Sequence, residues 1–444
     1  MPVERRRTAE AAAGWLLTRV LLYLIIVGTL LTNYTTANSG DVATYAGWVR
    51  TRLEHGVIPS GSTWQYPPLV GPLLLLPKLL PGNYLHEFVL LALIADAAIT
   101  ALLVLMARRR GTWYGPWFWI AGAAVLGPIV LGRFDVFSAL PLVGALVLFG
   151  RGALTENGLD LNARRWWAGA LVGLGLAIKL WPGLAFFGLP RSRRGAQAFA
   201  AGVGTALGVT LICLAAFKGG GSFVSNQGSR GVEIESVWAM PFLVVKTLGL
   251  WHGKIKLQYG SFQLVGSGVG IFADLALLCT VAGFALMGLW WWRRTWRPAL
   301  IADATFVATL IMVMTSRVIS PQYLVWLLAV GAICVMSRDT TQRRSCILFL
   351  IALPFTALEY PYLFWSLWHA HAIAVAVVVV RDLLLLAATG IGFVDLWRGS
   401  VQGPVLARKR PDTVEPALDP DRDPERPTEL STPAATGPAA EGAR

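Results

Sequence analysis

The chain has 444 residues, 55% of them hydrophobic and 14% charged, whereas soluble domains run at about 45–50% and about 25%. A soluble globular domain of this length is excluded, because it would lack the polar surface to cover itself. The net charge of +13 does not point to nucleic acid: the basic residues gather at the ends of apolar runs, in "VERRR", "ARRRG", "NARRWW", "RSRRG", "WWRRTWR", "TQRR" and "LARKR", and such clusters orient membrane spans by staying cytoplasmic.

Residues 1–14 read as a cytoplasmic N-terminus and 15–31 as a first span, interrupted by Arg19. No small-residue cleavage site follows a short apolar core, so this is not a signal peptide. The first external loop is 34–66. From Asp41 onward, apolar residues recur at Val42, Tyr45, Ala46, Val49 and Leu53, the spacing of one helix face, with Arg50, Thr51, Glu54 and His55 opposite. This predicts an amphipathic helix on the outer membrane surface, opening at Asp41. Taken alone, Asp41 reads as its N-cap. Pro67 and Pro68 then force an extended entry back toward the membrane.

The stretch "PPLVGPLLLLPKLLPG" is short and broken by prolines, so it is expected to dip in and return, which keeps "ARRRG" and "NARRWW" on one side. Apolar runs at 88–107, 135–149, 166–190, 196–217, 270–292, 298–316, 321–336, 346–358 and 370–394 follow. Together they predict roughly ten to twelve crossings. Within 166–190, Lys179 and Pro182 break the run. Interrupted backbone at membrane depth survives only when buried in protein or lining a wet cavity.

Segment 218–265 is the long external loop, expected as a mobile cap. "GSGVGIFAD" is not a dinucleotide fingerprint, since no strand is predicted before it and a span follows. Residues 399–444, rich in Pro, Glu, Asp and Thr, read as a disordered cytoplasmic tail. Cys213, Cys279, Cys334 and Cys346 lie in or beside apolar runs without metal-like spacing, so neither a disulfide nor a zinc site is expected. The fold class is an all-α polytopic membrane protein, its membrane domain covering 15–398.

Asp41 after a membrane helix, then "YAGWVRTRLEHGVIP" and "WQYPPLVGPLLLLP", resembles the GT-C glycosyltransferases, specifically glycosyltransferase family 87. "LGRFDVFSALPLVGALVLFGRG", "WAGALVGLGLAIKLWPGLAF" and "SRVISPQYLVWLL" fit the same pattern in the same order, and the resemblance covers roughly residues 15 to 395. It implies a GT-C-type bundle in the cell membrane with its active site on the external face. The implied donor is a polyprenyl-phosphate sugar, with mannose expected and arabinofuranose the alternative. The implied acceptor is a glycolipid or glycan, and transfer proceeds with inversion. The resemblance also places the general base at Asp41.

A phosphate leaving group needs charge stabilisation more than protonation, so cations near the external surface matter. Lys179, Arg317 and Arg133 are the candidates. An ionisable residue inside a span is a functional candidate by default, and arginine suits bidentate phosphate contact. The bland readings are snorkelling or pairing with Asp135 for Lys179, a headgroup contact for Arg317, and an Arg133–Asp135 pair. Trp64, Tyr66, Gln322, Tyr323 and Trp326 are candidates for contacting donor or acceptor, although interfacial aromatics are common without such a role. The family pattern has histidine where this chain has Gln322, so hydrogen bonding rather than proton transfer is expected there. Glu359 is the reserve base, with Glu233 and Glu235 behind it. No metal and no other cofactor is expected, because the only Asp-x-Asp patterns, Asp419 to Asp423, lie in the tail. The rival class is a lipid-linked sugar transporter, which also uses broken helices, but it predicts symmetric halves that the sequence does not show.

Overall fold

In the computed structural model the described residues are 2–60, 64–150, 162–221 and 231–401, so the expected tail falls outside them apart from 399–401. The helices, in chain order, are α1 (Pro2–Ile26), α2 (Thr35–Thr51), α3 (Val70–Leu75), α4 (Tyr84–Arg110), α5 (Tyr114–Leu126), α6 (Asp135–Gly150) and α7 (Asn162–Ile178). They continue as α8 (Arg193–Ala216), α9 (Met240–Thr247), α10 (Val269–Arg293), α11 (Leu300–Thr315), α12 (Tyr323–Cys334), α13 (Arg343–Ala357) and α14 (Ala372–Ser400). Six helical stretches of 24 to 29 residues are apolar and long enough to cross a membrane: α1, α4, α8, α10, Arg343–Trp368 and α14. At 1.5 Å per residue each spans about 36 Å or more, against a hydrocarbon core of about 30 Å. The protein is a multi-pass, nearly all-helical membrane protein.

The remaining apolar helices are shorter, and they form hairpins. Three pairs rise from one end of the bundle and return to it: α5 with α6, α7 with the 3-10 segment Trp181–Gly188, and α11 with α12. Their feet share a basic end, where Arg110, Gly150, Arg297, Met336 and Arg338 surround one cleft. With 12 residues, α12 reaches only about 18 Å, and α5, with 13, about 20 Å. The hairpin tips therefore stop short of a full crossing, and tip residues Arg133, Lys179 and Gln322 line a single cavity.

Several expectations change here. The sequence runs omitted α5, whose "YGPWFWIAGAAVL" is too short for a span; it packs on α1, α4 and α12 as a half-depth arm. Residues 70–79 are a short helix followed by a 3-10 turn, as expected of a segment that dips rather than crosses. α2 opens at Thr35, so Asp41 is inside the helix and not its N-cap. Its apolar face is as expected: Val42, Tyr45, Val49 and, just beyond, Leu53 are buried against Phe88 and Phe134.

The long loop is not a loose cap where it is described. It carries an antiparallel sheet of order β1-β3-β2, built from β1 (Val232–Glu233), β2 (Lys254–Gln258) and β3 (Ser261–Val265). Its Val232, Ile234 and Leu264 bury against α9 and α14 through Leu243 and Val375, and that apolar seal is what orders it. A strand, β3, does precede "GSGVGIFAD", but it belongs to this sheet, and the glycines lead into α10. Residues 222–230 lie outside the described part.

The buried arginines within the spans, Arg19 and Arg381, are paired with carboxylates. Arg19 is 1% exposed and meets Asp96 twice at 2.9 Å. Asp96 also accepts hydrogen bonds from Trp15 at 2.5 Å and Trp119 at 2.9 Å, tying α1, α4 and α5 together. α7 and α8 run side by side so closely that a Cβ on Gly169 would stand 2.1 Å from the Ala198 carbonyl oxygen, and one on Gly173 2.1 Å from that of Gly202. Small residues let helix backbones approach in this way, and this seam holds the arm that ends at Lys179. Gly173→Leu should force the seam apart and cost at least the roughly 1–3 kcal/mol of overpacking. Gly204→Leu, whose Cβ would meet open space, should change stability by no more than about 0.5 kcal/mol. Thermal unfolding of both variants in detergent checks the contrast.

Candidate active site

The three hairpin tips form the floor of a cavity of about 620 Å³. Its walls come from α2 (Asp41, Thr44, Tyr45, Trp48), from Gln65–Pro67, from the β-sheet cap (Glu233, Glu235, Tyr259–Phe262), and from Tyr360 and Phe364.

Two ion pairs cross on the floor. Arg133 pairs with Asp41, 92 positions away, and both remain partly exposed, at 18% and 29% of their side chains. Lys179 pairs with Asp135, Nζ to Oδ1 2.6 Å, the lysine 14% and the aspartate 2% exposed. The expected Arg133–Asp135 pair therefore does not form: neighbours in sequence bind different partners, because the backbone turns from the α5–α6 tip into α6 between them.

Lys179 ends α7 where Pro182 prevents the helix from continuing. Its ammonium lies 4.8 to 5.2 Å from the ring centres of Phe134, Tyr323 and Trp326. Trp326 donates from Nε1 to the same Asp135 oxygen at 2.6 Å and stacks on Trp181 and Tyr323. The lysine is thus fixed by a carboxylate beneath and aromatic faces around it, while its flank opens to the cavity. Burial pushes the Asp41 carboxyl above the usual carboxylate range, and the Arg133 charge and hydrogen bond act against that shift.

The expected residues divide clearly. Asp41, Arg133, Lys179, Tyr66, Gln322, Tyr323 and Trp326 line one cavity. Gln322 is 7% exposed, and its Oε1 has no hydrogen-bond partner among the described residues, which suits it to accept from a ligand hydroxyl. Trp64 is fully buried behind the wall, packed edge-on to Trp48 and Tyr66, and so does not touch a ligand. Arg317 is not among the lining residues; its backbone carbonyl accepts from the Glu233 amide at 3.0 Å, which anchors the cap.

Glu359 is 0% exposed and lies 3.3 Å from Arg381 instead of on the wall, which removes it as reserve base. Glu233 and Glu235, 3% and 5% exposed, do line the cavity. Burial, then the charges of Glu359 and Glu233, hold the Glu235 carboxyl well above the usual range. Tyr360 is one of the lining residues that sequence reasoning missed: it hydrogen-bonds Arg133, and its neighbour Glu359 carried the only visible signal in "LEYPY". Among the described residues no three metal-ligating side chains cluster.

The family model of glycosyltransferase family 87 matches residues 64–321, more than half the chain, and the protein belongs to that family. It is accordingly a membrane glycosyltransferase. Asp41 lies outside the matched segment, so its place in the site rests on the geometry above. No curated protein sequence matches the chain. Among solved structures, ArnT from Cupriavidus metallidurans bound to undecaprenyl phosphate is similar at 13% identity and a TM-score of 0.42, over 82% of this chain and 72% of that one; a likeness this loose transfers neither residues nor ligand.

Removing Asp135 alone (Asp135→Ala) leaves Lys179 partly buried without its carboxylate and should cost about 3–5 kcal/mol. The double variant Asp135→Ala/Lys179→Ala should lose less than the sum of the single losses. Denaturation of the four proteins in a double-mutant cycle reads the coupling.

Proposed function

We propose that the protein transfers a sugar, mannose being the expected one, from a polyprenyl-phosphate donor to a hydroxyl of a glycolipid or glycan acceptor on the external face of the cell membrane. The observation that carries this reading is the gathering of Asp41, Arg133 and Lys179 on one cavity floor. A lipid-linked donor suits a cavity whose floor is made by half-depth hairpins, since its phosphate would enter from the bilayer side.

In the proposed reaction the donor phosphate binds Lys179 and Arg133, two cations that can take the charge of the departing phosphomonoester without a metal ion. Arg133 turns toward the phosphate and releases Asp41. The freed carboxylate accepts the proton of the acceptor hydroxyl as that oxygen attacks the anomeric carbon. One C–O bond forms and the bond to the phosphate oxygen breaks in a single displacement, which inverts the anomeric centre. Gln322 and Glu235 offer hydrogen bonds to sugar hydroxyls, and Tyr66 and Tyr323 offer ring faces.

The test is transfer of labelled mannose from polyprenyl-phosphate-mannose to a membrane glycolipid extract by the purified protein. Asp41→Asn should reduce transfer by about 10²–10⁴-fold, the range for a lost general base; an equally active variant contradicts the role. A base works deprotonated, so activity is present above the folded pKa of Asp41 and is lost as pH falls through it. Because burial raises that pKa, the acidic limb of kcat/KM should lie above the ordinary aspartate value of about 3.9. Arg133→Gln removes the group that lowers it and should move the limb to higher pH. An unmoved limb would assign it to another residue.

A further inference from the structure

At the basic end of the bundle a second space of about 700 Å³ opens between the 3-10 segment Trp181–Gly188, α8 and α10. Its walls are apolar, with Phe186, Phe187, Phe199 and Trp291 facing it, and Arg191 and Arg193 stand at its mouth. Arg191 is exposed and held flat, its guanidinium carbon 5.6 Å from the ring centres of both Trp291 and Trp292. Behind it Arg294, 4% exposed, donates to the carbonyls of Gly188 at 3.2 Å and Leu189 at 2.5 Å. No carboxylate forms a salt bridge with Arg191, Arg193 or Arg294 among the described residues. Among the described residues the other buried arginines, Arg19 and Arg381, each meet a carboxylate. Burial, and then the like charge of Arg191, work against the charge of Arg294. Among the described residues these arginines meet no carboxylate, and the space beside them is lined with aromatic side chains.

We propose that this groove binds one anionic phospholipid, its phosphate held between Arg191 and Arg193 and an acyl chain lying along Phe186, Phe199 and Trp291. An apolar slot with a cationic mouth at a membrane boundary matches both halves of such a molecule. A soluble phosphate compound would leave the slot unfilled, and a zwitterionic lipid would leave the arginines uncompensated. The bound lipid would brace the hairpin that carries Lys179 at its tip, since the same 3-10 segment forms one groove wall.

The test is native mass spectrometry of the full chain released from nanodiscs containing equal phosphatidylglycerol and phosphatidylethanolamine of the same acyl chains. One retained phosphatidylglycerol per protein is expected. Arg191→Gln/Arg193→Gln should reduce its retention about tenfold, whereas Arg191→Lys/Arg193→Lys should keep most of it. Gly288→Phe fills the groove from α10, where a Cβ meets open space, and should also expel the lipid while leaving both arginines in place. Equal retention of the two lipids, or retention unaffected by Gly288→Phe, would overturn the proposal. These readouts need no sugar donor, so they stand apart from the proposed transferase reaction. If the glutamine pair does not fold, the Gly288→Phe and lysine variants still decide.

Discussion

The Lys179–Asp135 contact is the constraint around which the cavity is built. An ammonium at this depth is costly unless a carboxylate or water compensates it, and here both are at hand: the carboxylate below and the open cavity beside. The aspartate is almost wholly covered and also receives the Trp326 indole N–H, so the lysine is held in one place by the α6 and α12 arms. Fixing that one charge requires α7 to end, α6 to begin and α12 to pass within hydrogen-bond reach of the same oxygen. The three half-depth hairpins are the architectural answer, because each ends where a charged or polar residue must meet water. The second pair, Asp41–Arg133, then closes the floor from the outside by pinning the surface helix α2 to the tip between α5 and α6.

The cap adds a different kind of control. Its sheet packs on α9 and α14 by apolar contacts, yet it turns two buried glutamates toward the cavity. Glu235 touches Glu359, which in turn meets Arg381 on α14, and the Arg381 guanidinium also donates to the Glu235 carbonyl at 2.5 Å. The acidic wall is therefore wired to the bundle and does not float above it.

Much of the site was legible in the sequence because membrane burial makes charges conspicuous. Lys179 stood out by interrupting an apolar run, and Asp41 by sitting on a helix-spaced face before Tyr-Pro-Pro; both line the cavity. Partnership was legible only in part. The Lys179–Asp135 pair was among the readings of the sequence, but Arg133 and Asp135 are two residues apart, and nothing local says that Arg133 reaches Asp41 instead of Asp135. Arg317 and Glu359 had the same sequence-level credentials as Lys179 and Arg133, yet one serves the cap through its backbone and the other is sealed against Arg381. α5 was overlooked as well; it is a 13-residue arm, and half-depth arms carry the floor of this site. In the cap sheet β1 was hidden because it has two residues and lies across α9 from its partner β3, whereas β2 and β3 form a local hairpin around Tyr259 and Gly260 that the sequence reading passed over.

The most direct measurement is a cryo-electron microscopy structure of the protein with a non-transferable polyprenyl-phosphate sugar analogue. The account predicts density for the phosphate within hydrogen-bond distance of both Lys179 Nζ and the Arg133 guanidinium, with the Asp41 carboxylate released toward the anomeric carbon. A phosphate bound away from these two cations, with the Asp41–Arg133 pair still closed, would contradict it.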